Sequence, residues 1–139
     1  GVSVAAGLIN SDLVYDIVVG AGAGGGPRVK TFDGSNLNVI NDFFAFDLSF
    51  LGGVYVSAGK FGTNTLDSIV VGQGAGGQPF VKIFDQNAKF IYVVGELDAS
   101  LHVLAWDNGK LTLIQKLMLM PIPDFPKCFK FNQFRLYLR

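Results

Sequence analysis

The stretch Asp16–Asp33, DIVVGAGAGGGPRVKTFD, returns at a constant offset of 52 positions as Ser68–Asp85, SIVVGQGAGGQPFVKIFD, and thirteen of the eighteen positions are identical. A shorter echo leads each copy, VSVAAG at Val2–Gly7 and VYVSAG at Val54–Gly59. A repeat of this length marks an architecture in which one supersecondary unit cannot bury its apolar face alone and needs neighbours. The repeat therefore speaks first to assembly and only then to chemistry.

Short segments that alternate or are β-branched, bounded by Gly, Asn or Asp, predict strands along the whole chain. They fall at Val2–Ala6, Asp16–Val19, Arg28–Phe32, Val39–Phe44, Val54–Ala58, Ser68–Val71, Phe80–Phe84, Phe90–Val94, Leu101–Trp106 and Leu111–Lys116. Asn108-Gly109 supplies positive φ at both central positions of a type I′ turn, which predicts a hairpin there. A helical turn over Lys116–Met120 would be stopped by Pro121 and Pro123. Each 52-residue unit then supplies four strands, the content of a propeller blade. The expected fold is all-β, with four-stranded antiparallel blades in residues 1–52 and 53–100 and a hairpin with part of a third blade in 101–139. Closed propellers have about 4–8 blades. Two or three leave sheet faces uncovered, so the expectation is a fragment, an open arc, or a protomer of an oligomeric ring. Half of the residues are hydrophobic and only 16% are charged, as an unclosed arc would require.

Eleven basic and eleven acidic side chains give a formal net charge of zero, which predicts neither nucleic acid nor anionic lipid as a partner. Lys127, Lys130, Arg135 and Arg139 are unbalanced by acids and read as a solvated face. Cys128 is alone, so these residues hold no internal disulfide. No apolar run reaches the roughly 18–20 residues of a membrane helix, and the first residues lack the basic start and apolar stretch of a signal peptide.

Gly20, Gly22 and Gly25 satisfy G-x-G-x-x-G after a strand, as do Gly72, Gly74 and Gly77. A dinucleotide fingerprint needs a helix next. Here Pro27-Arg28-Val29-Lys30-Thr31-Phe32 and Pro79-Phe80-Val81-Lys82-Ile83-Phe84 follow, both strand-like, so the glycines predict tight inter-strand loops instead. GAGAGGGPRVKTFDG, NDFFAFD and GGVYVSAG resemble the bacterial FG-GAP (integrin-α-like) repeat over about Val2–Asp85. That resemblance implies a calcium loop of the form G-D-x-N-x-D-G-x-x-D-I-V-V-G and an extracellular or cell-surface setting. In the first copy Asn10, Asp12 and Asp16 keep the pattern, while Leu8 stands where the first acid belongs. In the second only Asn64 is in register, Lys60 and Ser68 replace acids, and Asp67 falls one place early. Calcium takes about 6–8 oxygens, so Asn10, Asp12 and Asp16 are candidate ligands of a weak site. Their other reading is as turn formers that cap backbone N–H groups.

From about Gly77 the sequence changes character, and Lys89-Phe90-Ile91-Tyr92-Val93-Val94, Glu96-Leu97-Asp98 and Gly109-Lys110-Leu111 with Gln115 resemble the seven-bladed lactonases of the phosphogluconolactonase type. The resemblance implies chemistry by a glutamate in an N-E-L segment and an arginine in P-R-H. Glu96 fills the first place, but Phe80, Val81 and Gly95 stand at the arginine, histidine and asparagine places. Lactone opening needs a base and a donor for the developing oxyanion, so Glu96 alone is a poor catalytic set. His102, within an alternating run, reads as a packed or rim residue. The leading expectation is a non-catalytic propeller module, without cofactor, that acts by self-assembly or through its loops and whose partners are copies of itself or other blades. A calcium-stabilised surface module and a degenerate sugar-lactone hydrolase stand behind it.

Overall fold

The computed structural model describes residues 1–61, 63–97, 100–107 and 110–118, and all of its regular structure is β. Ten strands follow one another: β1 (Val2–Gly7), β2 (Asp16–Ala21), β3 (Arg28–Phe32), β4 (Val39–Phe44), β5 (Val54–Gly59), β6 (Ser68–Gln73), β7 (Phe80–Phe84), β8 (Phe90–Leu97), β9 (Ser100–Asp107) and β10 (Lys110–Met118). Each strand expected from alternation is present. Lys116–Met118, weighed above as a helical turn, is the end of β10.

The strands form two antiparallel meanders, one of β1 to β4 and one of β5 to β10, each in sequence order. The repeat is visible in geometry as well as in letters. β1 pairs β2 from Val2 opposite Ala21 to Gly7 opposite Asp16, and β5 pairs β6 from Val54 opposite Gln73 to Gly59 opposite Ser68. The register slips between Thr31 and Phe32 and again between Ile83 and Phe84, the same place in both copies. The predicted hairpin is β9 with β10, Asp107 opposite Lys110. It continues the second sheet, because β9 also pairs β8 from Leu97 opposite Ser100 to Tyr92 opposite Ala105. Asn108 and Gly109 of the expected turn, and residues 119–139 with Cys128 and the basic run, lie outside the described residues.

The core lies between the two sheets. Successive strand residues point to opposite faces. In β2 and β3 this sends Val18 and Val29 inward, to meet Val54, Ile69, Val71 and Phe84 of the second sheet. Full burial of such a side chain is worth about 1.5–3 kcal/mol. Two glycines set how closely the sheets approach. A Cβ placed on Gly7 would stand 2.5 Å from the Ala58 Cβ, and one on Gly20 would stand 2.8 Å from Val56 Cγ1 and 3.0 Å from Val54 Cγ2. Ser3 completes the contact: its Oγ accepts the Val56 N–H at 3.0 Å. Farther out, Phe84 packs between Phe43 and Phe90, with ring centroids 4.8 and 5.7 Å apart.

Candidate functional site

The glycine-rich loops run into β3 and β7, so no helix N-terminus is there to receive a phosphate. Their N–H groups serve the loops themselves. Gly24 donates to the Leu51 carbonyl and Gly25 to that of Gly22, while Gly74 donates to Gly53 and Gly77 to Gly74.

The loop between β1 and β2 gathers the acids. Asp12, Asp16 and Asp33 bring one carboxylate oxygen each within 4.8 Å of one another. Two of these were legible as candidates; Asp33, at the end of β3, joins them only through the fold. The hydrogen bonds decide what the group does. Asp16 is fully buried, and its Oδ2 accepts the N–H groups of Ile9 and Asn10, both at 2.9 Å. Its Oδ1 accepts the Gly34 N–H at 3.1 Å and Asn10 Nδ2 at 3.3 Å. The same Asn10 amide nitrogen donates to Asp33 Oδ2 at 3.2 Å. Its orientation is set on the other side, where Asn10 Oδ1 accepts the Asp12 N–H at 2.9 Å. A donor therefore stands between the two carboxylates where a cation would need an oxygen. Asp12 Oδ1 in turn accepts the Val14 N–H. Hydrogen bonding to Ser35 and Asn36 holds the Asp33 carboxyl below the usual carboxylate range. In this arrangement Asn10, Asp12 and Asp16 form a hydrogen-bonded turn, with Asp16 as the acceptor that closes the loop.

The second copy of the loop is wired differently. Ser68 occupies the buried place of Asp16, while Lys60 and Asn64 are exposed. Asp67, one position early for any ion, accepts the Leu8 N–H at 2.8 Å and returns its own N–H to the Leu8 carbonyl at 2.8 Å. Its displacement in sequence makes it a clamp between the sheets.

The lactonase-like segments meet across β7 and β8. Phe80 lies opposite Gly95 and Val81 opposite Val94, and Gly95 is in turn opposite His102. The fold thus brings together the arginine, histidine and asparagine places, and fills them with an aromatic ring, an isopropyl group and a glycine. Glu96 follows in β8, paired with Leu101, and His102 is half-buried. The first copy does carry an arginine at the corresponding place. Arg28 is engaged by Asp42, with Nε to Oδ1 at 2.7 Å and Nη2 to Oδ2 at 2.6 Å, and Lys30 adds a contact at 3.2 Å. These partners pull the Asp42 carboxyl down to about 2. In the second sheet Val93 stands opposite Lys82, where Asp42 stands opposite Lys30. Lys82 Nζ instead donates to the Ala45 carbonyl at 3.0 Å and lies over the Phe46 and Phe90 rings, and this burial lowers its pKa.

The two faces that turn away from the core are the remaining feature. On the first sheet Val2 and Val4 are 67% and 60% exposed, although Val54 and Val56, their counterparts 52 positions on, pack into the core. On the second sheet Gly59 and Gly72, the counterparts of Gly7 and Gly20, have no heavy atom of the described residues within 4 Å of where a Cβ would stand. No helix among the described residues is long and apolar enough to cross a membrane. The family model described as "Lactonase, 7-bladed beta-propeller" matches residues 59–130. No curated protein and no solved structure matches the chain.

Proposed function

The chain belongs to the family of seven-bladed β-propeller lactonases, and from that premise we propose that it serves as a non-catalytic blade module that acts by packing its free sheet faces against further blades. One observation carries this reading: the glycine gaps that are filled at Gly7 and Gly20 stand open at Gly59 and Gly72. At Gly7 and Gly20 the room left by the missing side chain is taken by side chains of the neighbouring sheet. The absence of chemistry is supported by Phe80, Val81 and Gly95, which offer no cation or polar hydrogen-bonding side chain where the family's oxyanion would form.

The reading is tested by concentration. A module stabilised by face packing melts at a temperature that rises with protein concentration. A melting temperature independent of concentration over a hundredfold range contradicts it.

The register of Phe80 with Gly95 also favours a second reading, a sugar-lactone hydrolase built on Glu96, because it joins the two family segments. Hydrolysis of a simple sugar lactone by the parent and by Glu96→Gln separates the two. Equal rates remove Glu96 from any chemistry; a loss of about a hundredfold or more would establish it as a base.

A further inference from the structure

We infer that the Lys82 amine, held in the joint between the two sheets, is a covalent binding site for an aromatic aldehyde, taken up as a protonated Schiff base. The site goes beyond the blade-module reading and does not depend on it, because every group that forms it belongs to the joint of the chain after β4 with β7 and β8.

Lys82 and Lys30 hold the same place in the two copies and are used differently. Lys30 Nζ meets the Asp42 carboxylate at 3.2 Å. Lys82 reaches the chain just after β4, where its Nζ donates to the Ala45 carbonyl at 3.0 Å. Among the described residues this is its one bond to an oxygen, and no carboxylate pairs with it. Its other neighbours are aromatic, with the Phe46 centroid 4.8 Å and the Phe90 centroid 5.3 Å from the nitrogen.

These surroundings match a particular kind of nitrogen. An ammonium brings three donors, and here one carbonyl receives it. A protonated Schiff base has a single N–H to match that carbonyl, and keeps its positive charge over the two ring faces. An acylated lysine would keep an N–H but lose the charge, so the rings favour an imine over an amide. Burial lowers the Lys82 pKa, and the unprotonated amine is the nucleophile.

The rings also select what the carbonyl carries. Phe46 packs edge-on to Phe50 with centroids 6.5 Å apart. Phe90 packs on Phe84 at 5.7 Å, and Phe84 on Phe43 at 4.8 Å. Lys82 Nζ stands between these two aromatic groups. A ring carried on the imine carbon would extend either group at ordinary aromatic contact, about 4.5–7 Å between centroids. In the reaction the Nζ lone pair bonds to the aldehyde carbon, and the carbonyl oxygen takes a proton from the nitrogen. The carbinolamine then expels its hydroxyl, which leaves as water with a proton from solvent, while the nitrogen lone pair closes the C=N bond. Nothing is oxidised or reduced.

Benzaldehyde with sodium cyanoborohydride near neutral pH fixes the imine as a secondary amine, and peptide mass spectrometry locates it. The folded chain is expected to be labelled at Lys82 at least about fivefold faster than at the exposed Lys60, Lys89 and Lys110. Unfolding in urea is expected to abolish that preference. Equal labelling of all four lysines, or a preference that survives in urea, overturns the proposal. Propanal, which has no ring, is expected to show a weaker preference for Lys82; one as strong as with benzaldehyde would overturn the aromatic assignment. Phe46→Leu keeps apolar volume and removes a ring, and is expected to lower the preference by at least about twofold, with circular dichroism checking the fold. A folded variant labelled at Lys82 as fast as the parent would show that the rings do not form the site. If the variant does not fold, the two aldehydes compared on the parent decide.

Discussion

The two halves of the repeat contain nearly the same letters in opposite circumstances. Val54 is 3% exposed and Val2 is 67% exposed, yet they hold the same place in the same motif. Gly20 is wedged against two valines, whereas Gly72 faces open space. The difference lies in the neighbour and not in the residue: the second sheet supplies a partner to the first, and nothing within the described residues supplies the equivalent partner at either end. An exposed valine here holds the place that is buried between sheets in the other copy, and its exposure is read by reference to its repeat.

The loops teach a related lesson. Asp16 and Ser68 hold equivalent buried places, but only Asp16 gathers four hydrogen bonds from its loop. The asymmetry can be broken most sharply there. Asp16→Leu strands the N–H groups of Ile9, Asn10 and Gly34, and is expected to cost about 3 kcal/mol or more in urea unfolding. Ser68→Ala is expected to cost about 1 kcal/mol or less. Similar losses would mean that the first loop does not depend on its carboxylate.

Next in size is the packed glycine. Gly20→Val forces atoms into the contact with Val54 and Val56 and is expected to destabilise by about 1–3 kcal/mol. Gly72→Val meets no atom and is expected to leave the dilute monomer within about 0.5 kcal/mol of the parent. Equal effects would erase the distinction between the filled and the open gap.

The valine pair gives a smaller contrast. Val54→Ala removes buried methyl groups and is expected to cost about 1–2 kcal/mol, against about 0.5 kcal/mol or less for Val2→Ala in the monomer.

Smallest are the surface charges and the ion. Asp42 titrates at about 2 when folded, against 3.8 for an ordinary aspartate, because Arg28 and Lys30 hold its charged form. A depressed carboxylate contributes stability that is fully present above the unfolded value and is lost as pH falls through the folded one. The parent should therefore lose melting temperature between about pH 4 and pH 2 slightly more steeply than Asp42→Asn. Parallel curves would show that the ion pair contributes nothing. Millimolar calcium should leave the melting temperature unchanged, because Asn10 fills the gap between Asp16 and Asp33 with a donor. A rise abolished by Asp12→Asn would establish the loop as a calcium site.

Much of this architecture is legible in the sequence. Alternation located ten strands, and the constant offset identified two equivalent units. What alternation does not carry is which face of β1 or β5 meets a partner, because neither face of these two strands holds a charge. The clue was present in Gly7 and Gly20, whose missing side chains mark the contact, but a glycine in a strand also reads as a bend or a bulge. The placement of β9 and β10 in the second sheet was equally hidden, since a hairpin pattern fixes its own turn and not the strand beside it. Asp33 is not legible as a member of the acidic group because it lies seventeen positions from Asp16 and closes on it only when β3 returns alongside β2. Asp67 looked like a damaged ligand; its role as acceptor for Leu8 needs the second sheet in place.

The most direct test of the account is the mass of the native particle formed by the unmodified chain, measured by native mass spectrometry or sedimentation over a dilution series. The account predicts particles of more than one 14.9 kDa chain that dissociate on dilution into folded β-rich protomers. A particle of 14.9 kDa at every concentration, unfolding cooperatively at an unchanging temperature, would contradict it.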